Sequence, residues 1–212
     1  MTNVVVVNYG MGNIKSVMRG VEKVGAKVTL SSEPETILKA DRVILPGVGA
    51  FDHGMTELRK RNLEQTLKDY VKTERPLLGI CLGMQMLLDS SEEHGEHKGL
   101  GFIPGQVIRI PQDRDNTTLR KIPHIGWNAL QYPAANRHWD QSILGKTEEG
   151  DSFYFVHSFM AEPENSEDIL AQCLYEELPI NAVVKKDNIT GCQFHPEKSG
   201  PSGLKILEQF VS

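Results

Sequence analysis

A cysteine lies in a glycine-flanked segment that has the spacing of a nucleophile turn. Residues 79–83 read Gly-Ile-Cys-Leu-Gly and follow the apolar pair Leu77 and Leu78. This is the G-x-S-x-G pattern with cysteine in place of serine, in which a sharp strand-to-helix turn presents the nucleophile. Glycine is expected two positions away on each side because side chains there would collide across the strained turn. The spacing therefore predicts that Cys81 is a nucleophile.

Two groups next to Cys81 are expected to assist it. The helix that should follow the turn directs the positive end of its dipole at the sulfur, which favours the thiolate. The amide of Leu82 faces the same way and can donate a hydrogen bond to an oxyanion. A buried cysteine in an ordinary tight turn is the alternative interpretation, since short motifs also occur by chance.

A histidine and a glutamate two residues apart could supply the base that a cysteine nucleophile needs. They occur in residues 193–197, Gln-Phe-His-Pro-Glu, at the end of a strand predicted over Ile189 to Phe194. The imidazole exchanges a proton with the sulfur, and a carboxylate fixes its tautomer. In an extended chain, side chains i and i+2 project to the same side, so Glu197 is expected to reach the far ring nitrogen of His195. A surface His-Pro-Glu turn is the alternative.

The other histidines are weaker candidates for chemistry. His94 and His97 could suggest a metal pair, but they lie in a glycine-containing loop that offers no third ligand at a standard spacing. We therefore predict no metal and no cofactor. His124 and His157 fall in strand-like segments, where a hydrogen-bonded core histidine is the default and a functional role stays open.

The composition narrows the class of protein. The 212 residues include 39% apolar residues and 19 glycines, which is typical of a globular protein. The net charge is −5 and the longest basic run is Arg59-Lys60-Arg61, so no nucleic-acid partner is expected. No stretch approaches the ~18 apolar residues of a membrane span. The three cysteines and the lack of a basic leader before the first valine run predict a cytoplasmic protein.

The order of elements predicts how the candidate residues are positioned. Apolar strands alternate with helical segments through the first half of the chain, which is typical of a parallel sheet with helices on both faces. These strands are predicted over Val4–Val7, Lys27–Leu30, Asp41–Leu45 and Pro76–Ile80, with helices over 54–72 and 84–88. After Gly99, short strands and turns predict an antiparallel extension of the same sheet, including one strand over Phe153–Phe159. We expect a single α/β domain over residues 1–212.

Three blocks of the sequence resemble one family of enzymes. Residues 46–49 (Pro-Gly-Val-Gly), 79–85 and 193–199 match, in the same order, the blocks of the class I (triad) glutamine amidotransferases. The resemblance implies a flavodoxin-like glutaminase fold. It also implies a catalytic triad of Cys81, His195 and Glu197 that hydrolyses L-glutamine to glutamate and ammonia through a thioester.

The resemblance also implies the remaining site residues. The oxyanion hole would use the amide of Leu82 and that of Val48 after a peptide flip, which the glycines on both sides of Val48 make sterically easy. Four further positions match contacts to glutamine in the family. They are Gly49, Gln85, Ser158 and Phe159.

A narrower resemblance indicates a partner. Residues 8–13, 123–128 and 154–158 are similar to the glutaminase subunits of imidazole glycerol phosphate synthase. Such a subunit would pass ammonia to a (β/α)8 cyclase that makes imidazole glycerol phosphate and aminoimidazole carboxamide ribotide in histidine biosynthesis. The interface positions implied are Asn13, Trp127, Tyr154 and Lys198.

Several alternatives remain open from the sequence. For Trp127 and Tyr154, core packing is as reasonable an interpretation as a role at an interface. A paralogous glutaminase subunit that feeds a different amination, such as one in surface sugar biosynthesis, shares most of these blocks. A cysteine peptidase on a similar fold and an inactive binding module are the two further alternatives.

Overall fold

The computed structural model describes residues 1–115, 118–134 and 139–212. Its helices lie in both halves of the chain. The described residues form six α-helices: α1 (Ile14–Lys23), α2 (Pro34–Leu38), α3 (Phe51–Lys60), α4 (Leu63–Val71), α5 (Leu82–Gln85) and α6 (Gly200–Val211).

Strands make up most of the second half. The same described ranges hold fifteen strands: β1 (Asn3–Val7), β2 (Lys27–Ser31), β3 (Arg42–Leu45), β4 (Leu77–Ile80), β5 (Leu88–Ser91), β6 (His97–Lys98), β7 (Ile103–Arg109), β8 (Asp113–Asp115), β9 (Thr118–Leu119), β10 (His124–Gln131), β11 (Ser152–His157), β12 (Phe159–Pro163), β13 (Ile169–Tyr175), β14 (Leu178–Lys186) and β15 (Ile189–Cys192).

A large mixed sheet forms the centre of the molecule. Its strand order is β11-β10-β13-β14-β15-β4-β3-β1-β2. The pairs from β2 through β15 are parallel, and those from β15 through β11 are antiparallel. The predicted α/β class, with a parallel sheet and an antiparallel extension, is confirmed.

The valine run of β1 shows why the sheet is covered on both faces. Val4 and Val6 pack in one core cluster together with α1 and α6. Val5 and Val7 pack in the other cluster together with α2, α3 and α4. Since side chains alternate along a strand, an uninterrupted apolar run is needed when both faces are buried.

Two predicted helices differ from the structure. The helix expected over 54–72 is divided into α3 and α4 at Asn62, whose φ of +57° lies in the left-handed region. The helix expected over 84–88 begins earlier, at Leu82, and ends after one turn at Gln85. Residues from Leu88 onward form β5 instead, because they pair with β6 and β7.

The second half contains a separate sheet that was not predicted. β12, β7, β5 and β6 form a four-stranded sheet in that order, so these strands do not extend the central one. The strand expected over Phe153–Phe159 is broken at Ser158, where the chain passes from β11 in the central sheet to β12 in the second sheet. β10, for which only a strand-like segment at His124 was predicted without bounds, lies next to the edge strand β11.

The parallel strands bring the candidate residues to one edge. β1, β3, β4 and β15 run in the same direction, so the segments that follow them meet at the carboxyl edge of the sheet. These segments contain Tyr9, residues 46–49, Cys81 and His195. Open α/β sheets commonly bind ligands at this edge. Among the described residues, no helix has the length and apolar character needed to cross a membrane.

Candidate functional site

Cys81 occupies a strained turn between β4 and α5. Its φ is +54° and its ψ is −109°, a conformation that non-glycine residues rarely adopt. A Cβ on Gly79 would lie 2.7 Å from the Gly83 carbonyl oxygen, and one on Gly83 would lie 1.8 Å from the Leu45 carbonyl oxygen. Both glycines are therefore required by close approach of backbone, as the spacing suggested.

The surroundings of the sulfur differ in one respect from expectation. α5 has only four residues, so its dipole is much weaker than that of a full helix. Leu82 is the first residue of α5, and an amide at this position has no acceptor within its own helix. It is therefore available to donate to a ligand oxygen next to Cys81.

His195 and Glu197 form a buried pair beside the turn. Nδ1 of His195 lies 2.8 Å from Oε1 of Glu197, and the two side chains are almost fully buried. The backbone route differs from the predicted extended chain. Residues Pro196–Lys198 form a 3-10 turn, which folds the carboxylate back onto the ring. The expected contact between His195 and Glu197 is therefore present, but a turn joins the two residues instead of an extended chain.

The electrostatics of His195 suit proton exchange with a thiol. Burial lowers the pKa of His195, but the Cys81 and Glu197 side chains raise it more strongly, to about 9. Nε2 of His195 makes no hydrogen bond to any described residue, so the effect of Cys81 on this pKa is one of proximity rather than of a formed hydrogen bond. This nitrogen is the ring atom left to give or take a proton.

Residues 46–49 lie against the cysteine turn. The Tyr9 hydroxyl donates to the Pro46 carbonyl oxygen over 2.6 Å, which ties the segment to the end of β1. A Cβ on Gly47 would lie 2.5 Å from the Tyr9 hydroxyl oxygen, so glycine is needed for this approach. Gly49 has a φ of +103°, and Val48 between them is 40% exposed. Nothing in the sequence marked Tyr9 as a site residue, because an aromatic residue that follows a buried strand usually packs in the core.

A cavity of about 250 Å3 joins these groups. Its size is at the small end of ligand pockets, which suits a metabolite of amino-acid size. Every predicted triad, oxyanion and glutamine-contact position except Glu197 lines it. The lining residues are Val48, Gly49, Cys81, Leu82, Gln85, Glu93, Val156, His157, Ser158, Phe159 and His195.

Glu93 and His157 are the polar lining residues that were not predicted as site residues. Glu93 reaches the cavity from the turn after β5, and its Oε2 accepts a hydrogen bond from the Phe51 amide over 2.7 Å. This bond, at the start of α3, holds a carboxylate in the cavity. Around Glu93 the sequence predicted only the glycine-containing loop of His94 and His97, and no local pattern marks Glu93 as a site residue.

Two buried amides connect the cavity wall to the sulfur. Nε2 of Gln85 donates to the Phe159 carbonyl and to Oε1 of Gln193, both over 3.0 Å. Nε2 of Gln193 in turn lies 3.7 Å from Sγ of Cys81. Gln193 was not predicted as a site residue, and its place two residues before His195 in the same sequence block is the signal that could have indicated it.

Three of the four predicted interface positions, Trp127, Tyr154 and Lys198, contact one another. Trp127 on β10 is 56% exposed, which excludes the alternative that it packs in the core. Its ring meets Tyr154 edge-on at 6.1 Å between centroids, and the Lys198 ammonium lies 5.9 Å from the centroid of the Tyr154 ring. Asn13 precedes α1, and its carbonyl accepts from the Val17 amide.

Comparison with known proteins identifies relatives that span the chain. Residues 5–212 match the model of the family "Glutamine amidotransferase class-I". Imidazole glycerol phosphate synthase subunit HisH 1 of Legionella pneumophila is 48% identical over 211 residues, with 100% of this chain and 99% of the relative covered. Imidazole glycerol phosphate synthase subunit HisH of Gloeobacter violaceus is 43% identical, with 99% of this chain and 88% of the relative covered.

Solved structures share the fold at low identity. A crystal structure of a glutamine amidotransferase superposes with a TM-score of 0.72 at 17% identity, covering 98% of this chain and 99% of the other. A chain in the structure of PurLQS from Thermotoga maritima gives a TM-score of 0.69 at 17% identity, covering 100% and 98%. The family match and the full-length relatives together show that this chain belongs to the class-I glutamine amidotransferases, in the branch of the imidazole glycerol phosphate synthase HisH subunits.

Proposed function

We propose that this chain hydrolyses the side-chain amide of L-glutamine as the glutaminase subunit of an imidazole glycerol phosphate synthase. The observation that carries the proposal is the cavity onto which both Cys81 and His195 open, with Glu197 buried behind the imidazole. A thiol, an imidazole and an orienting carboxylate in this arrangement are the parts of a cysteine acyl-transfer site.

The first half of the reaction forms a thioester. The Cys81 thiolate attacks the amide carbon of glutamine, and the oxygen of that amide becomes an oxyanion that accepts from the Leu82 amide. Val48 supplies the second donor once its peptide has turned toward the cavity. Nε2 of the His195 imidazolium then donates its proton to the departing nitrogen, and ammonia leaves.

The second half of the reaction regenerates the enzyme. Nε2 of His195, now neutral, accepts a proton from water, and the resulting hydroxide attacks the thioester carbon. The carbon–sulfur bond breaks, glutamate is released, and the thiolate of Cys81 is restored beside a protonated His195. Glu197 stays ionised throughout and holds the ring through Nδ1.

Gln85, Glu93 and neighbouring backbone groups of the cavity recognise the amino-acid end of glutamine. Both amide hydrogens of Gln85 are engaged, so its Oε1 is the atom that can accept from the α-ammonium group. Glu93 supplies a carboxylate for the same ammonium group. The backbone of Gly49, Ser158 and Phe159 contacts the rest of the substrate.

The ammonia needs a receiving partner, because ammonia released into water is mostly protonated and loses its nucleophilicity. We assign this role to a (β/α)8 cyclase that docks on the surface formed by Asn13, Trp127, Tyr154 and Lys198. Trp127 suits such a surface because exposed aromatic residues commonly anchor interfaces. The cytoplasmic location remains a prediction.

The test is to replace Cys81 in the complex with the cyclase. Cys81→Ala should abolish glutamine-dependent synthesis and leave synthesis from ammonium largely intact. Cys173→Ala is the matched control, since Cys173 is a second buried cysteine, lies on β13 and does not line the cavity. Unchanged glutamine turnover in Cys81→Ala would remove this sulfur from the mechanism.

Turnover without the partner provides a second measurement. The isolated chain should hydrolyse glutamine weakly, because the Val48 peptide needs the partner to turn it. Full turnover by the isolated chain would contradict this gating, although it would leave the glutaminase assignment standing. Failure of the chain and the cyclase to copurify, or to complement a histidine auxotroph, would contradict the choice of partner.

A further inference from the structure

A pair of buried histidines lies at the wall of the glutamine cavity, with His157 lining it and His124 bonded to His157. Nδ1 of His124 is 2.9 Å from Nε2 of His157, on the adjacent strands β10 and β11. The His124 ring is stacked between Phe155 and Tyr175, at centroid distances of 4.9 and 4.0 Å. Nδ1 of His157 lies 2.8 Å from the Phe159 carbonyl oxygen. The proposed reaction uses neither imidazole.

The Phe159 carbonyl sets the direction of every hydrogen bond around it, because a carbonyl oxygen can only accept. His157 must therefore carry its proton on Nδ1, which leaves Nε2 to accept from Nδ1 of His124. Burial lowers the pKa of His157 to about 3 and that of His124 to about 4, so both rings are neutral near pH 7. With both nitrogens engaged, His157 cannot act as a base toward a ligand in the cavity.

The same carbonyl continues the network to the nucleophile. Its second donor is the Gln85 amide, which orients the Gln85 side chain so that its other hydrogen meets Oε1 of Gln193. Gln193 is thereby oriented with Nε2 toward Cys81. A continuous chain of hydrogen bonds thus runs from His124 to the reactive sulfur, and each member is buried or lines the cavity.

Packing alone does not account for the two imidazoles. Nε2 of His124 is buried and has no hydrogen-bond partner within the described part of the chain. An unsatisfied polar atom in an aromatic box destabilises the fold, and an apolar side chain of similar size would avoid this. The two imidazoles provide hydrogen bonds that an apolar side chain could not: Nδ1 of His157 donates to the Phe159 carbonyl, and Nδ1 of His124 donates to Nε2 of His157.

We propose that His124 and His157 are positioning residues for the glutaminase site, holding the Phe159 carbonyl and, through it, the side chains of Gln85 and Gln193 in the orientation that substrate binding needs. The role rests on the proposed function, since it concerns the same cavity. His157 acts directly on the carbonyl, and His124 acts by fixing the tautomer of His157.

Two substitutions at one position separate positioning from packing. His157→Leu removes the donor to the Phe159 carbonyl, whereas His157→Asn keeps a donor near the place of Nδ1. In the complex with the cyclase, His157→Leu should raise the KM for glutamine about tenfold and lower kcat less than threefold. His157→Asn should restore the KM to within about threefold of the wild-type value.

Leu130→Ala controls for general loss of stability, since Leu130 is fully buried on β10 and lies outside the hydrogen-bond chain. It should lower the temperature of unfolding and leave the KM unchanged. Equal KM values in the Leu and Asn variants, or an unchanged KM in His157→Leu, would overturn the positioning role.

Nuclear magnetic resonance tests the network without relying on turnover. In the full-length chain at pH 7, we expect both rings neutral and protonated on Nδ1. In His157→Leu, the side-chain amide protons of Gln85 and Gln193 should exchange with water about tenfold faster. A proton on Nε2 of His157, or unchanged exchange, would overturn the inference even in an active enzyme. A wild-type complex that fails to hydrolyse glutamine would instead contradict the proposed function.

Discussion

Nδ1 of His195 lies 2.8 Å from Oε1 of Glu197, and the two side chains are almost fully buried. The second carboxylate oxygen, Oε2, is buried without a hydrogen bond to any residue that the structure describes. The charge of Glu197 is therefore directed at a single imidazole nitrogen. This arrangement fixes the tautomer of His195 and leaves Nε2 facing the cavity.

Replacement of the carboxylate by an amide should disable the base without removing it. Glu197→Gln presents an NH2 or a carbonyl to Nδ1, so the ring is no longer held in one tautomer and the imidazolium loses its counter-ion. We expect kcat for glutamine hydrolysis in the complex to fall by about two to four orders of magnitude. Steady-state kinetics measure this, with ammonium-dependent synthesis as the control for an intact complex.

Glu197→Gln should not lower kcat further in an enzyme that already lacks the His195 imidazole. His195→Gln and the double variant should show similar residual rates, because residues that act as one unit are not additive. If kcat of the double variant falls by the product of the two single-variant factors, Glu197 acts other than through His195.

Acid should destabilise the fold partly through His157. Its pKa is about 3 when folded and about 6.5 when unfolded, so the unfolded state binds more protons between these values. The stabilisation is complete above pH 6.5 and is lost as the pH falls toward 3. Between pH 7 and pH 5, the free energy of unfolding of His157→Asn should fall by about 2 kcal/mol less than that of the wild type. Urea unfolding at both pH values measures the difference.

His195 should contribute to the pH dependence of the free energy of unfolding with the opposite sign. Its pKa is raised to about 9 in the folded state, so its contribution is complete below about pH 6.5 and is lost as the pH rises through 9. His195→Gln should therefore flatten the stability profile on the alkaline side, whereas His157→Asn flattens it on the acid side. A shared direction in the two variants would contradict these assignments.

Substitution of the glycines around Cys81 should lower the free energy of unfolding by different amounts. Gly83→Ala places a Cβ 1.8 Å from the Leu45 carbonyl oxygen, so we expect no stable fold. Gly79→Ala places one 2.7 Å from the Gly83 carbonyl oxygen and should destabilise by about 1–3 kcal/mol. Gly20→Ala on α1 is the control. Its nearest contact, at 2.6 Å, is Cδ1 of Leu207, a side-chain methyl group that can move further than a backbone carbonyl, so the change should destabilise less than Gly79→Ala does. Urea unfolding ranks the three variants.

Removal of the exposed indole should weaken association rather than folding. Trp127→Ala should raise the dissociation constant for the cyclase at least about tenfold, since exposed tryptophans at interfaces often dominate binding. Its unfolding temperature should change little. Leu30→Ala is the matched control, because Leu30 is 37% exposed on β2 at the opposite edge of the sheet. Titration calorimetry with the cyclase distinguishes the two, and equal affinities would exclude Trp127 from the interface.

Much of the site could be predicted from local patterns. Two glycines flank Cys81, and a glutamate follows two residues after His195. Each of these patterns is contained in a few neighbouring positions. Their convergence at one edge follows from the parallel order of β1, β3, β4 and β15, which the alternation of strands and helices indicates. Local sequence is sufficient here because a strand-to-helix turn is specified by the residues that form it.

The tertiary structure alone decided the rest. Glu93 reaches the cavity because β5 pairs with β7 in a second sheet, and Gln193 faces Cys81 because Gln85 and the Phe159 carbonyl orient its amide. The exposure of Trp127 likewise depends on which face of β10 the core covers. These facts depend on contacts between residues distant along the chain, and the free energy of such contacts resides in the packed arrangement rather than in any short segment.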